Sequence, residues 1–293
     1  STDGGPRIAQ SFAAADPRVI ALRARGRGLV AALQTGLARA RAPLVARMDA
    51  DDVTLPGRLA ATLPLFDGPR VGAAACAVEA FADHGEVGEG LRRYVEWQNG
   101  LRTPDDHRRG LFVESPLCHP ATVLRRAAVE AVGGYRDEPH PEDYALFLRL
   151  DAAGWDLAKT PRVGLRWRHR AGRLTFTDPR YGPEAFRRLK ARFLAPKLLA
   201  AGRPVAIWGA GAAGRRLARA LEPLGVPAAR FVDVDPRKID GVARGAPIVP
   251  SSGLRRGEET VVVAVAARGA RDAVRAWLDA RGWVEGDDYV CAA

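Results

Sequence analysis

The pattern of apolar and polar positions in the first part of the chain predicts alternating helices and short strands. Apolar side chains recur at helical spacing in residues 4–15 and again in residues 29–40. Short apolar runs of strand length occupy residues 19–22 and 44–48. This order of helix, strand, helix and strand predicts a parallel sheet that is covered by helices.

The middle of the chain continues the pattern with longer elements. Residues 71–81 form an almost uninterrupted apolar run, which is typical of a strand buried on both faces. Residues 144–150 return to helical spacing directly after Glu142 and Asp143, so these two acids are predicted to lie in the first turn of a helix. The positive end of a helix favours negative charge, which is one sufficient reason for the pair. Residues 163–170 complete this unit as a further strand.

From residue 204 the pattern restarts as a second unit. A strand, a Gly-rich turn and a helix are followed by further strands and one more helix, which predicts a small doubly wound sheet. Gly209, Gly211 and Gly214 have the GxGxxG spacing of dinucleotide-binding turns. Asp233 ends the next strand, at about the separation expected for a ribose-binding carboxylate. The alternative is a Gly-tight turn that binds no ligand.

A basic amphipathic helix is predicted between the two units. It covers residues 186–199, is interrupted at Pro196, and is interpreted mainly as a connector. Contact of this helix with a membrane surface is the alternative interpretation. The predicted organisation is therefore a first domain at residues 1–180, a helical linker at 181–202 and a second domain at 203–293.

The composition is that of a globular protein large enough for two hydrophobic cores. The 293 residues are 47% hydrophobic and 27% charged, which is ordinary for such chains. Lys and Arg number 45 against 34 Asp and Glu, for a net charge of +11. This excess suits phosphate-bearing ligands or an anionic membrane surface. The basic residues are scattered and form no recognised nucleic-acid-binding module, so nucleic acid is not expected as a partner.

Cysteine usage and hydropathy indicate the cellular setting. Cys76, Cys118 and Cys291 are widely spaced, which indicates neither a zinc site nor a disulfide framework. A reduced, cytoplasmic protein is therefore expected. No apolar run reaches the length of a membrane span.

Three carboxylates follow the apolar run at residues 44–48. Asp49 and Asp51 are two positions apart, so in an extended chain their side chains project to one side, and Asp52 adds a third acid. Crowded carboxylates raise one another's pKa unless a cation lies between them, and hard oxygen ligands suit Mg²⁺ or Mn²⁺. The sequence therefore predicts a divalent metal site. A solvated acidic turn that caps the next helix is the alternative.

Four sequence blocks resemble family 2 glycosyltransferases of the GT-A fold over about residues 1–175. The blocks are STDGG, MDADD, GGYRDE with HPEDYALFLRL, and LRWRHR. The resemblance implies an α/β fold with a GT-A-like mixed sheet and helices on both faces. It also implies that the family's first strand precedes Ser1, so that the chain begins inside the domain. Residues 203–293 are less specifically similar to small Rossmann-like domains, and whether NAD or another nucleotide binds there stays open.

The resemblance implies roles for individual residues on the donor side. Asp3 and Arg27 fall in the region that binds the donor. Asp49 and Asp51 match the DxD acids, which contact donor and metal, with Asp51 as the direct metal ligand. The metal would be Mn²⁺ or Mg²⁺ and would offset the charge that develops on the leaving nucleotide. His169 falls where related enzymes place a late metal ligand; a surface histidine is the alternative.

On the acceptor side, Glu142 and Asp143 match the family's ED pair. Asp143 would be the general base that takes a proton from the acceptor hydroxyl, and Glu142 would position or tune it. These assignments predict transfer of a sugar, with inversion, from a nucleotide-diphosphate donor to a glycan or a lipid-linked acceptor. They place the protein in cell envelope polysaccharide biosynthesis, in the cytoplasm, with the inner face of the membrane as an alternative site.

Two other functions are considered. A nucleotidyltransferase also uses paired acids and a metal, but it needs a Gly- and Lys-rich phosphate loop, and lysine is scarce in this chain. A regulatory protein that binds NAD or another nucleotide, built on an inactive transferase remnant, would make the second unit the functional one.

Overall fold

Two β-sheets with flanking helices contain most of the apolar runs of the chain. The computed structural model describes residues 4–170 and 172–293. The strands are β1 Leu44–Ala46, β2 Val53–Thr54, β3 Val71–Ala82, β4 Thr122–Arg125, β5 Asp156–His169, β6 Val205–Trp208, β7 Ala228–Val232, β8 Val242–Ala243, β9 Ala246–Val249, β10 Thr260–Val263 and β11 Tyr289–Cys291. The α-helices are α1 Gly5–Ala15, α2 Leu29–Arg39, α3 Arg58–Thr62, α4 Glu89–Gly100, α5 Pro104–Gly110, α6 Arg126–Ala131, α7 Glu142–Ala152, α8 Leu174–Thr177, α9 Pro183–Ala201, α10 Ala212–Leu221 and α11 Ala270–Asp279. The predicted α/β fold is confirmed.

The first sheet has the strand order β1-β4-β3-β5-β2. Its centre is β3, whose residues 71–78 are all buried, as its continuous apolar run predicts. β3 and β5 are parallel, whereas β4 is antiparallel to both β1 and β3. The sheet is therefore mixed. β2 pairs antiparallel with the far end of β5, which brings the loop after β1 next to the residues that follow β5.

Two details of the predicted opening are wrong. Residues 19–22 form no strand, and Val19, Ile20 and Leu22 are 39–48% exposed. An isolated strand leaves its backbone N–H and C=O groups without partners, and in the described residues no strand lies beside this segment. In addition, β1 pairs antiparallel with β4 instead of extending a parallel sheet.

The second sheet has the order β11-β10-β6-β7-β9-β8 and is parallel except for the β8–β9 pair. Alternate residues of its strands face opposite sides. On one side Ile207 and Val262 share a core with Leu217 of α10. On the other side Trp208 and Val263 share a core with Leu278 of α11. Helices therefore cover both faces of this sheet.

Helix α9 connects the two sheets and packs against both units. Its buried residues Leu189, Leu194 and Leu198 belong to the same core as β3, β5 and β6. The helix continues through Pro196, so the predicted interruption is wrong. Leu194, Ala195 and Leu198, which flank Pro196, are buried, so tertiary packing holds this part of the helix in place. No helix in the described ranges combines the length and the apolarity needed to cross a bilayer.

Candidate active site

A cavity of about 1090 Å³ lies between the first sheet and the start of the second unit. Its lining includes Asp49 and Asp51 from the loop after β1, and Glu142 and Asp143 from the first turn of α7. The acids that the sequence singled out, about 90 positions apart, are thus brought to one cavity. This is the arrangement that a metal-bound donor and a base acting on an acceptor require.

The loop after β1 holds three carboxylates close together. One oxygen from each of Asp49, Asp51 and Asp52 lies within 4.8 Å of the other two. An Arg47 guanidinium nitrogen is 2.5 Å from Asp49 Oδ2, and Arg170 Nε is 3.0 Å from Asp51 Oδ2. These two cations stabilise the crowded negative charges and fix two of the three side chains.

Asp52 is the most enclosed of the three acids. Its Oδ1 accepts a hydrogen bond of 2.7 Å from the Arg168 backbone N–H, while its buried Oδ2 has no hydrogen-bond partner. Burial, together with the charges of Asp49 and Asp51, raises the pKa of Asp52 to about 6, although the hydrogen bond from Arg168 lowers it. A buried carboxylate oxygen without a donor, beside two further carboxylates, fits a divalent cation with oxygen ligands. The sequence contains Asp52 in the same block, but we assigned it no separate role.

The Glu142–Asp143 pair begins helix α7. Glu142 is 2% exposed, and its Oε2 accepts a 2.6 Å hydrogen bond from the Tyr181 hydroxyl. Asp143 Oδ1 accepts a 2.7 Å bond from the Tyr144 backbone N–H. Burial, with a smaller contribution from the neighbouring Glu142 charge, raises the pKa of Asp143 to about 7, against the opposing effects of the Tyr144 hydrogen bond and the Arg47 charge. A carboxylate with this pKa can take up a proton near neutral pH, as a general base must.

A network of hydrogen bonds among His119, Tyr135 and Gln34 lies beside Glu142. His119 Nε2 is 2.7 Å from the Tyr135 hydroxyl, and Gln34 donates a 2.9 Å bond to the Tyr135 carbonyl. His119 Nδ1 lies 4.0 Å from Glu142 Oε1. Burial lowers the pKa of His119 well below its usual value, so the ring is neutral. These contacts join residues far apart in sequence, and local patterns contain no signal for them.

The other predicted site residues of the first unit lie outside the carboxylate cluster or outside the described residues. His169 lines the cavity, but it is outside the group of three carboxylates; its ring packs edge-on against Phe176, with ring centroids 5.5 Å apart. Arg27 is exposed in the segment before α2 and is not among the residues that line this cavity. Asp3 lies outside the described residues. The roles of all three stay predictions.

Helices α9 and α10 contribute a further wall of the cavity, called here the α9–α10 wall. One side of α9 lines the cavity with Phe186, Arg187 and Lys190, which are at helical spacing, and α10 lines it with Arg216. The Phe186 ring stacks on Tyr144, which follows Asp143, at a centroid distance of 5.5 Å. This wall therefore lies on the Asp143 side of the cavity and is rich in cations.

Comparison with known proteins identifies the first part of the chain. Residues 1–133 match the model of the family described as Glycosyl transferase family 2. This stretch is therefore similar to glycosyl transferase family 2. The match contains the Asp49, Asp51 and Asp52 cluster and ends before Glu142 and before the α9–α10 wall.

Curated relatives of the chain carry glycosyltransferase names. The chain is 33% identical over 162 residues to the amylovoran biosynthesis glycosyltransferase AmsE of Erwinia amylovora, over 55% of this chain and 58% of the relative. It is 32% identical over 128 residues to the UDP-Gal:alpha-D-GlcNAc-diphosphoundecaprenol beta-1,3-galactosyltransferase of Escherichia coli, over 43% and 44% of the two chains. The chain thus spans about half the length of the curated relatives it matches.

Two solved structures show a partial likeness. One is the mannosyltransferase PcManGT from Pyrobaculum calidifontis in complex with GDP-Man and Mn²⁺, at 22% identity and a TM-score of 0.42, covering 69% of this chain and 52% of that one. The other is S. aureus TarS 1-349 in complex with UDP-GlcNAc, at 15% identity and a TM-score of 0.46, covering 68% and 55%. The family assignment depends on the sequence match of residues 1–133.

The Gly-rich turn lies beyond the family 2 match. A Cβ added at Gly214 would lie 1.9 Å from the Gly209 carbonyl oxygen, so the start of α10 approaches the end of β6 as closely as backbone atoms allow. Gly209 has φ of +121° and Gly211 has open space beside it. This geometry satisfies the tight packing of a dinucleotide-binding turn, and it equally satisfies a turn without a ligand.

Both carboxylate oxygens of Asp233 already have hydrogen-bond partners within the protein. It is 8% exposed, one oxygen accepts from the Ala210 backbone N–H at 3.0 Å, and Lys238 Nζ lies 3.0 Å from the same oxygen. Its other oxygen accepts from the backbone N–H groups of Val234 and Asp235. A ribose hydroxyl would share this carboxylate with those donors. The assignment of Asp233 to a nucleotide therefore stays a prediction.

Proposed function

We propose that this protein is an inverting, metal-dependent glycosyltransferase that moves a sugar from a nucleotide-diphosphate donor to a hydroxyl acceptor. The observation that carries the proposal is the single cavity that contains both the Asp49–Asp51 acids and Asp143. Single displacement requires the base and the leaving group on opposite sides of the reacting carbon, and two separated acidic sites in one cavity supply these positions. The domain boundaries at residues 180 and 203 are part of the proposal.

The donor site is assigned to the carboxylate cluster after β1. Asp49, Asp51 and Asp52 offer the hard oxygen ligands that Mn²⁺ or Mg²⁺ prefers. When bound, such an ion offsets the negative charge that develops on the leaving nucleoside diphosphate. The protein's own contribution is to hold the ligands in place, through Arg47 on Asp49 and Arg170 on Asp51.

The base is assigned to Asp143. Its pKa of about 7 leaves a substantial fraction of the side chain ionised at neutral pH, and its proton affinity is far higher than that of an ordinary aspartate. The ionised carboxylate takes the proton from the acceptor hydroxyl while the hydroxyl oxygen bonds to the sugar carbon and the diphosphate leaves. General base catalysis of this kind contributes about 10²–10⁴ in rate.

The acceptor is proposed to enter along the α9–α10 wall and to carry a phosphate-bearing lipid. The wall lies on the Asp143 side, through the stacking of Phe186 on Tyr144. Arg216 of α10 lines the cavity and makes no ion pair among the described residues, and a diphosphate would supply a partner. The name of the E. coli relative includes a diphosphoundecaprenol acceptor. A lipid-linked acceptor would place the enzyme at the cytoplasmic face of a membrane, in envelope polysaccharide synthesis.

Donor turnover by two variants tests the proposal. Asp51→Asn removes a metal ligand and Asp143→Asn removes the base, so both should lower release of nucleoside diphosphate from UDP- and GDP-sugars by about a hundredfold or more. Asp105→Asn is the matched control, because Asp105 is an exposed acid that pairs with Arg108 away from the cavity. Wild-type turnover in either cavity variant, with Mn²⁺ and acceptor present, would remove the assignment.

A second candidate function has one observation in its favour. The close approach of Gly214 to Gly209, with open space beside Gly211, suits a nucleotide at the start of α10. The first turn of α10 also lines the cavity. A nucleotide-binding regulatory role for the second unit is therefore retained as the alternative.

A further inference from the structure

Tyr181 makes a close contact with the acidic pair from outside helix α7. It ends a short 3-10 turn, Pro179–Tyr181, in the segment between β5 and α9. Its hydroxyl donates a 2.6 Å hydrogen bond to Oε2 of Glu142. Glu142 is 2% exposed, and the nearby His119 is neutral and 4.0 Å away, so the tyrosine is the closest donor to this buried carboxylate.

Arg180 holds the turn that carries Tyr181, through contacts with Asp178 within the turn and with Asp137 outside it. The Asp178 side chain accepts a 3.0 Å bond from the Arg180 backbone N–H. The Arg180 guanidinium then pairs with Asp178 at 2.9 Å and with Asp137 at 3.2 Å. Asp137 belongs to the loop that leads into α7. These contacts fix Tyr181 relative to the helix that carries the acids, so the hydroxyl is preorganised to meet Glu142.

We propose that Tyr181 is a positioning residue for the base: its hydrogen bond holds Glu142 as a buried anion beside Asp143. The inference rests on the proposed function, because it assigns a task to the same acidic pair. A buried carboxylate without a donor is costly, so loss of the hydroxyl should make the Glu142 charge unstable in its present place. Displacement of the Glu142 carboxylate from its present place would follow, and its repulsion of Asp143 would weaken.

The expected consequence is a change in the proton affinity of Asp143. The Glu142 charge raises the pKa of Asp143, and Arg47 lowers it. Tyr94, Tyr135 and Tyr181 also face Asp143, and burial raises the pKa of each, so all three stay neutral over the working range. Weaker repulsion from Glu142 must therefore lower the Asp143 pKa, and the midpoint of the pH–rate profile must move to lower pH.

The test compares pH profiles of kcat for Tyr181→Phe and for the wild-type full chain, with nucleoside diphosphate release as the assay. We expect the midpoint to fall by roughly one pH unit, with a lower plateau because the base has become weaker. Tyr289→Phe is the matched control, since its hydroxyl donates a 2.5 Å bond to Asp279 far from the cavity. An unchanged midpoint in a folded Tyr181→Phe protein, judged by its thermal melting, overturns the proposal.

A second variant covers the case in which Tyr181→Phe does not fold. Glu142→Gln removes the same charge directly and should also lower the midpoint; an unchanged midpoint here overturns the proposal as well. In the Glu142→Gln background, Tyr181→Phe should cause no further shift, because the two changes act through one charge. Asp143→Asn separates the hypotheses: if it retains turnover, the proposed function fails, whereas if it is inactive and Tyr181→Phe shows no shift, only this inference fails.

Discussion

The proposed sugar transfer should depend on pH because one carboxylate, that of Asp143, is buried. Asp143 sits in the first turn of α7, where burial and the charge of Glu142 raise its pKa to about 7, against the opposing charge of Arg47. Only the ionised form can accept a proton. The ionised fraction is about one tenth at pH 6 and about nine tenths at pH 8, so kcat should rise by about tenfold over this interval and then level off.

The assay is the initial rate of nucleoside diphosphate release at saturating donor and acceptor, measured from pH 5 to pH 9 at constant ionic strength. The groups that face Asp143 from the packed elements are Glu142, Arg47, Tyr94, Tyr135 and Tyr181. An aspartate with an ordinary pKa near 3.8 would give a flat profile in this range. A flat profile between pH 5.5 and pH 8 would therefore refute the assignment of Asp143 as the base. The low residual rate of Asp143→Asn should lack the inflection.

Three further predictions concern stability, the acceptor and the second unit. The folded pKa of Asp143 is raised, so the folded protein binds this proton more tightly and loses stability as pH rises from about 4 through 7; Asp143→Asn should therefore raise Tm relative to wild type more at pH 8 than at pH 5. Arg216→Ala should raise KM for a lipid-diphosphate acceptor about tenfold and leave KM for the donor unchanged. Arg219→Ala is the control and should not change either KM, because Arg219 is on the same helix as Arg216 but lies 4.0 Å from Glu184 of α9. Equal effects of the two variants would exclude the acceptor assignment. NADH should leave Tm unchanged while UDP- or GDP-sugar with Mn²⁺ raises it, and stabilisation by NADH alone would favour the regulatory alternative.

Local sequence patterns predicted the elements that carry the acids. An apolar run followed directly by Asp49 and Asp51 predicted a strand with carboxylates at its end, and β1 has this form. Helical spacing after Asp143 predicted the first turn of α7. These predictions succeeded because the periodicity of a single element determines which residues stand at its ends. The roles of these acids stay predictions until the variants are measured.

Contacts between distant segments were not predictable in the same way. Tyr181 and Glu142 are 39 positions apart, and Arg168 reaches Asp52 over 116 positions. Nothing in either local sequence indicates the partner, because the pairing depends on where β5 lies in the first sheet and on the path of the chain between β5 and α9. The strand expected at residues 19–22 failed for a related reason. Its composition suits a strand, but a strand also needs a neighbour to accept its backbone hydrogen bonds.

The distribution of charge in the cavity indicates where the two substrates meet. In the proposed assignment the Asp49 cluster is the donor side, and the Asp143 side adjoins the α9–α10 wall through the stacked rings of Tyr144 and Phe186. A sugar that reacts by single displacement must lie between the two, with its acceptor approaching from the wall. That wall lies outside the family 2 match at residues 1–133. The chemistry of transfer would then be specified by residues 1–133 together with α7, and the choice of acceptor by α9 and the second unit. In agreement with this division, the second unit shares one hydrophobic core with the first and is not separated from it by a flexible linker.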